Sequence, residues 1–116
     1  MVDGIAVARI EGRVSAQQVI GWVGETLAQA RRARLDRVML VLTGASGFPA
    51  PSLARRAEMI RGWAAAAGDA ITMAIVCQAE LIDPQRFGIR VATSLGLHAN
   101  VFDREDAAMA WLRGTD

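Results

Sequence analysis

Apolar and polar residues follow two different rhythms along this chain, and the switches between them divide it into strands and helices. Ile5, Val7 and Ile10 stand among Ala6, Ala8 and Arg9, a period of two that predicts a strand with one face more buried than the other. Glu11-Gly12-Arg13 breaks this pattern. Ser15 followed by Gln18 then reads as a capping box, in which side chains satisfy the free N–H groups of a helix start. From about 16 to 33 the apolar residues Val19, Ile20, Val23, Leu27 and Ala30 recur every three or four positions, the stripe of a helix lying on a core. Arg31, Arg32 and Arg34 follow where cations complement the exposed carbonyls of a helix end. Gly21 and Gly24 cost up to about 1 kcal/mol each relative to alanine inside a helix, so the helix is expected to press on a neighbour there.

Residues 38–42 (Val-Met-Leu-Val-Leu) form a continuous apolar run of strand length, the pattern of a strand covered on both faces and therefore central in its sheet. The glycines and prolines of residues 43–51 predict a loop, and Ser52 is placed to cap the next helix. In that helix Leu53, Ala57, Ile60 and Ala64 make the core stripe, Met59 and Trp63 flank it, and Arg55, Arg56, Glu58 and Arg61 are left for solvent. Gly68-Asp69 ends it. Residues 71–77 read as another buried strand, running on through 78–82 to a helix capped by Asp83 with Pro84 as its first residue. Phe87, Val91 and Leu95 space that helix and Gly96 closes it. Asn100-Val101-Phe102 is a short edge strand. A last helix follows from Asp103, with Asp103, Glu105 and Asp106 at its positive end and Ala107, Ala108, Trp111 and Leu112 facing inward.

Strands and helices that alternate in this way imply right-handed crossovers and a mostly parallel sheet. The expected fold is α/β: a four- to five-stranded sheet with about four helices, built as one domain over residues 1–116. A chain of 116 residues with 53% hydrophobic and 22% charged content can bury one core and not two.

Charge and cysteine content narrow the partners. All 13 basic residues are arginine, but 12 acidic residues offset them to a net charge of +1, which gives no general attraction to nucleic acid or to an anionic membrane. Cys77 is the single cysteine, so no internal disulfide forms and a reducing compartment fits. No stretch approaches the roughly 20 apolar residues of a membrane span, and the first residues carry no basic start. The expectation is a cytoplasmic protein with no stable membrane insertion.

No catalytic constellation emerges. A Cys77–His98 pair would need converging strand ends and a third, orienting group, and a buried thiol ordinarily behaves as a small apolar side chain. One histidine and scattered carboxylates offer no metal-ligand spacing, and Asp83, Asp103 and Asp106 are explained by helix capping. Gly44-Ala45-Ser46-Gly47 lacks the lysine and the glycine spacing of a phosphate-binding loop. Neither a cofactor nor a metal is expected, and the chain reads as no enzyme. Trp22 and Trp111 are expected in core or subunit contacts. Trp63, with Met59 and the Phe48-Pro49 loop, is expected to form a partly exposed apolar surface for a protein partner or a small apolar ligand.

Three stretches together resemble the SpoIIAA-like branch of the STAS superfamily, whose fold is broadly like that of CRAL-TRIO lipid-binding domains. They are the opening strand and turn from Ile5 to Val14, the buried 38–42 strand before a loop and helix, and the Val101-Phe102-Asp103 step into Ala107-Ala108, Ala110, Trp111 and Leu112. The resemblance implies a regulatory or protein-interaction domain, expected as a homodimer, that acts through the loop after the central strand and the helix beyond it. In STAS proteins that antagonise anti-sigma factors, a serine preceded by aspartate is phosphorylated at this point. Ser52 matches in position, but Ala50 and Pro51 precede it; Ser46 is the other serine of the loop. The rival implication is a carrier of a small apolar or lipid-like ligand with Met59, Ile60 and Trp63 on one wall. A thiol enzyme stands third.

Overall fold

The computed structural model describes residues 4–48 and 51–114. Along them run β1 (Ala6–Arg9), β2 (Gly12–Arg13), α1 (Ala16–Arg32), β3 (Arg37–Val41), β4 (Ala45–Ser46), α2 (Leu53–Ala67), β5 (Thr72–Val76), α3 (Phe87–Ser94), β6 (His98–Phe102) and α4 (Glu105–Gly114). A single 3₁₀ turn, Ala79–Leu81, precedes α3. The main sheet is fully parallel in the order β1-β3-β5-β6, and β2 pairs with β4 in a two-residue parallel ladder beside it.

The continuous apolar run becomes an inner strand, as its two-sided hydrophobicity requires. Val38, Leu40 and Leu42 join the core beneath α1 and α2, whereas Met39 and Val41 join a second core with Ala108 and Leu112 of α4. β5 divides in the same way, Met73 and Cys77 toward the first core and Ala74 and Val76 toward the second. Each of the first three long helices links one strand to the next across the sheet, and right-handed crossovers stepping in one direction place their helices on one face. The result is three layers: α1, α2 and α3, then the sheet, then α4 alone.

Local chemistry fixes the ends of these elements. The Gln18 N–H donates to Ser15 Oγ at 3.1 Å and the Ser15 N–H donates to Gln18 Oε1 at 2.9 Å, which completes the expected capping box. Gly68 closes α2 at φ 68°, a left-handed region that favours glycine. Arg9 grips Glu105 with two bonds of 2.7 and 2.6 Å, joining the end of β1 to the start of α4. That bond holds the Glu105 carboxyl below its usual range, but both side chains are exposed and water screens the pair.

Several expectations change in the folded chain. Leu53 is 53% exposed and Leu95 is 45% exposed, because each sits at a helix end, Leu53 as the first residue of α2 and Leu95 as the C-cap of an eight-residue α3. Ala57 is only half-buried and Ala107 is exposed, whereas Ala108 and Leu112 are fully covered. Pro84 does not open a helix. Arg86 adopts φ 53° and turns the chain, so α3 starts at Phe87, whose N–H donates to Asp83 Oδ2 at 2.9 Å. Asp83 therefore caps across the turn. Ile10 packs on the opposite face from Ile5 and Val7, joining Ala6 and Ala8. Gly24 lies against Trp63, but Gly21 has open space where a side chain would stand. Trp22 is 44% exposed.

Candidate functional site

The carboxyl ends of β3 and β5 deliver Leu42 and Cys77 to the helix-covered side of the sheet, where open parallel sheets place their sites. Above them the start of α1 contributes Val19 and Ile20, and α2 contributes Met59, Ile60 and Trp63. The loop before α2 adds Phe48 and Pro51, and the segment before α3 adds Leu81 and Ile82. Together these walls line a cavity of about 140 Å³ that is open to solvent on one side. Its interior is apolar on every side. Charge enters only with Arg55, Arg56, Asp83 and Arg86, three cations against one carboxylate.

Trp63 holds the two helices of this chamber together. Its ring is 4% exposed and its Nε1–H donates to the Ile20 carbonyl of α1 at 3.1 Å. Trp63 itself is therefore not exposed as expected, because α2 lies against α1 and the flank carrying Trp63 is covered by it. Phe48 and Met59 are half-buried in the same walls, so three of the five residues singled out in the sequence converge on one cavity. Pro49, grouped with Phe48, lies outside the described residues.

The two serines remain outside the chamber. Ser46 is exposed in β4, where its carbonyl accepts the Val14 N–H at 2.8 Å. The glycine-rich segment around it is pinned to β2, with the Gly12 N–H donating to the Gly44 carbonyl at 3.0 Å. Gly47 lies at φ 97°, and a Cβ there would stand 2.9 Å from Arg13 Cγ and 3.0 Å from the Val14 carbonyl. Ser52 is the N-cap of α2, its Oγ accepting the Arg55 N–H at 3.2 Å beside Pro51 at the cavity rim. Ser52→Ala is expected to cost about 1 kcal/mol, with Ser52→Asn and Ser52→Asp close to wild type. Urea unfolding of the three variants measures this, and an alanine variant as stable as the other two would remove the capping role.

Cys77 and His98 cannot act together. The register pairs Thr72 with His98 and Val76 with Phe102, so the two residues lie at opposite ends of neighbouring strands, roughly 16 Å apart at about 3.3 Å per residue. His98 instead opens β6, 5.2 Å from the Trp111 ring in an edge-on contact, with Nδ1 3.4 Å from Thr72 Oγ1. Cys77 is 6% exposed. Burial pushes its thiol up to about 11, Arg56 opposes the shift and Asp103 adds to it. Among the described residues no three or more His, Cys, Asp or Glu side chains form a group able to hold a metal ion, and no helix is long and apolar enough to cross a membrane.

Arg56 is the site residue that the sequence pattern assigned to solvent. It is half-buried, with Nε donating to the Pro51 carbonyl at 3.2 Å and Nη2 to the Leu81 carbonyl at 3.1 Å, so it ties together the two loops flanking the cavity. One signal could have found it. Arg55 and Arg56 begin a helix with no acidic residue in its first turn, where the helix dipole disfavours cations.

Comparison with known proteins returns nothing: no family model, no curated protein and no solved structure matches this chain.

Proposed function

We propose that this chain is a non-enzymatic binding module whose ligand is a small apolar molecule seated between the sheet and its three-helix layer. One observation carries this: the apolar cavity of about 140 Å³ at the carboxyl ends of the inner strands. A preformed apolar chamber with a few polar groups at its edge is the usual form of a small-molecule site. An engineered apolar cavity of about 150 Å³ in another protein stays dry and takes up benzene. The proposal rests on this geometry and not on the resemblance to SpoIIAA-like proteins.

Mass spectrometry of the gently purified protein under native conditions is the direct test. A mass excess that denaturation removes is the expected result, and a neutral apolar probe such as octanol should raise the melting temperature progressively as its concentration rises above its Kd. A chain that carries no adduct and is not stabilised by octanol is not a carrier.

A second reading, regulation through Ser52, is supported by its exposed hydroxyl at the N-terminus of a 15-residue helix. Phosphate there would meet free N–H groups and a favourable dipole. In a phospho-switch, Ser52→Asp changes partner affinity much more than Ser52→Asn, which caps without charge. Equal affinities for the two variants would leave Ser52 as a cap alone, the expected result because Pro51 stands where the STAS pattern has aspartate.

A further inference from the structure

The polar groups at the cavity divide unevenly. Arg56 has a guanidinium with five N–H groups, and the two described bonds it makes go to neutral backbone carbonyls, Pro51 and Leu81. No described carboxylate lies within ion-pair distance of it, although Arg9, Arg55 and Arg104 at the surface each have one. A half-buried cation beside apolar walls without a counter-charge is unfavourable, and the dipole at the start of α2 adds to the cost. Arg86 does not correct the imbalance: it is a second cation at the same cavity, and its Nη1 donates to the neutral Asn100 Oδ1 at 2.6 Å. Asp83 is the one carboxylate in the lining, and one of its oxygens already caps Phe87.

From this imbalance we infer that the ligand is an apolar carboxylic acid of about six to eight carbons, its chain in the cavity beside Met59 and Trp63 and its carboxylate on Arg56 at the mouth. The inference rests on the binding module proposed above and adds the ligand's charge and length. A carboxylate supplies one negative charge to one guanidinium and matches its planar fork with two parallel bonds. The length follows from volume, since a chamber close in size to one that holds benzene takes about six carbons, and further methylenes would stand in water. The carbonyls of Pro51 and Leu81 hold the guanidinium from behind, so little side-chain freedom is lost when the acid arrives.

Calorimetric titration with octanoate, octanol and hexadecanoate at neutral pH tests both features, on wild type and on Arg56→Gln. Wild type is expected to bind octanoate at least tenfold more tightly than octanol and no less tightly than hexadecanoate. Arg56→Gln should lose at least tenfold more affinity for octanoate than for octanol. Octanol bound as tightly as octanoate by wild type overturns the carboxylate, with or without a folded variant, and leaves the apolar binding module standing. Octanoate binding undiminished in a folded Arg56→Gln overturns the role of Arg56. Hexadecanoate bound tenfold more tightly than octanoate overturns the length limit. Binding of none of the three overturns this inference and the binding module together.

Discussion

Truncating Trp63 to alanine is expected to remove about 3–5 kcal/mol of stability, a large part of the roughly 5–15 kcal/mol that holds a domain of this kind folded. The ring is almost fully covered and stands where α1 and α2 meet over the sheet. Its loss would enlarge a cavity that already exists, so the surrounding side chains have little to collapse onto. Trp63→Phe separates packing from hydrogen bonding. It keeps an aromatic ring and gives up the N–H bond to Ile20, for a cost of about 1 kcal/mol from that bond plus a smaller packing loss. Trp22→Ala is the control, because that ring is 44% exposed on α1 and should change stability by less than about 0.5 kcal/mol. Urea unfolding followed by far-ultraviolet circular dichroism measures all three without relying on tryptophan fluorescence. A Trp63→Ala variant within 1 kcal/mol of wild type would mean that the indole is not part of the core.

The contrast between these two tryptophans shows what the sequence could and could not reveal. Both lie beside apolar residues on an amphipathic helix, and periodicity measures a side chain's angle around its own helix axis, not the position of the neighbouring helix. α2 contacts both the sheet and α1, so a flank of its stripe is buried; the corresponding position of α1 meets solvent. Long signals survived this limit. The 38–42 run predicted an inner strand because alternate residues must enter opposite cores, and Val38 and Leu40 do lie opposite Met39 and Val41. The Ser15 and Gln18 capping box was equally legible, since all its parts lie within four residues. Short or nonlocal features were not. The β2–β4 ladder has two residues per strand, too few to display any period. At the site, Phe48, Met59 and Trp63 were legible as an apolar group, but the part played by Arg56 was not. Its acceptors are a residue five positions back and one twenty-five positions on, and nothing in the pattern of α2 alone announces them.

Alkaline pH should weaken the fold through one side chain. The chain contains no lysine and no tyrosine, the side chains that ordinarily titrate near pH 10. Cys77 is therefore the only side chain with an ordinary or shifted value between 9 and 11. Burial holds the folded thiol at about 11, against 9 when it is free. Between these values the unfolded chain has released the proton and the folded chain still binds it, so the unfolded state carries fewer protons and stability falls as pH rises. The effect is absent below pH 9, grows through the window and reaches about 2–3 kcal/mol near pH 11. Urea unfolding at half-unit intervals from pH 8 to 11 measures it, with Cys77→Ala as the reference that lacks the thiol. The wild-type curve should descend in that window while the alanine curve stays nearly flat, and parallel curves would show that the thiol is not held neutral by burial. The same displacement makes the native thiolate about a hundredfold scarcer at pH 8 than in a free cysteine, so labelling by iodoacetamide should be slow until the chain is unfolded. Cys77 also lines the cavity. A bound apolar acid would exclude the reagent and bring a second negative charge near the sulfur, and octanoate should therefore slow the native labelling further, whereas occupancy elsewhere would leave its rate unchanged.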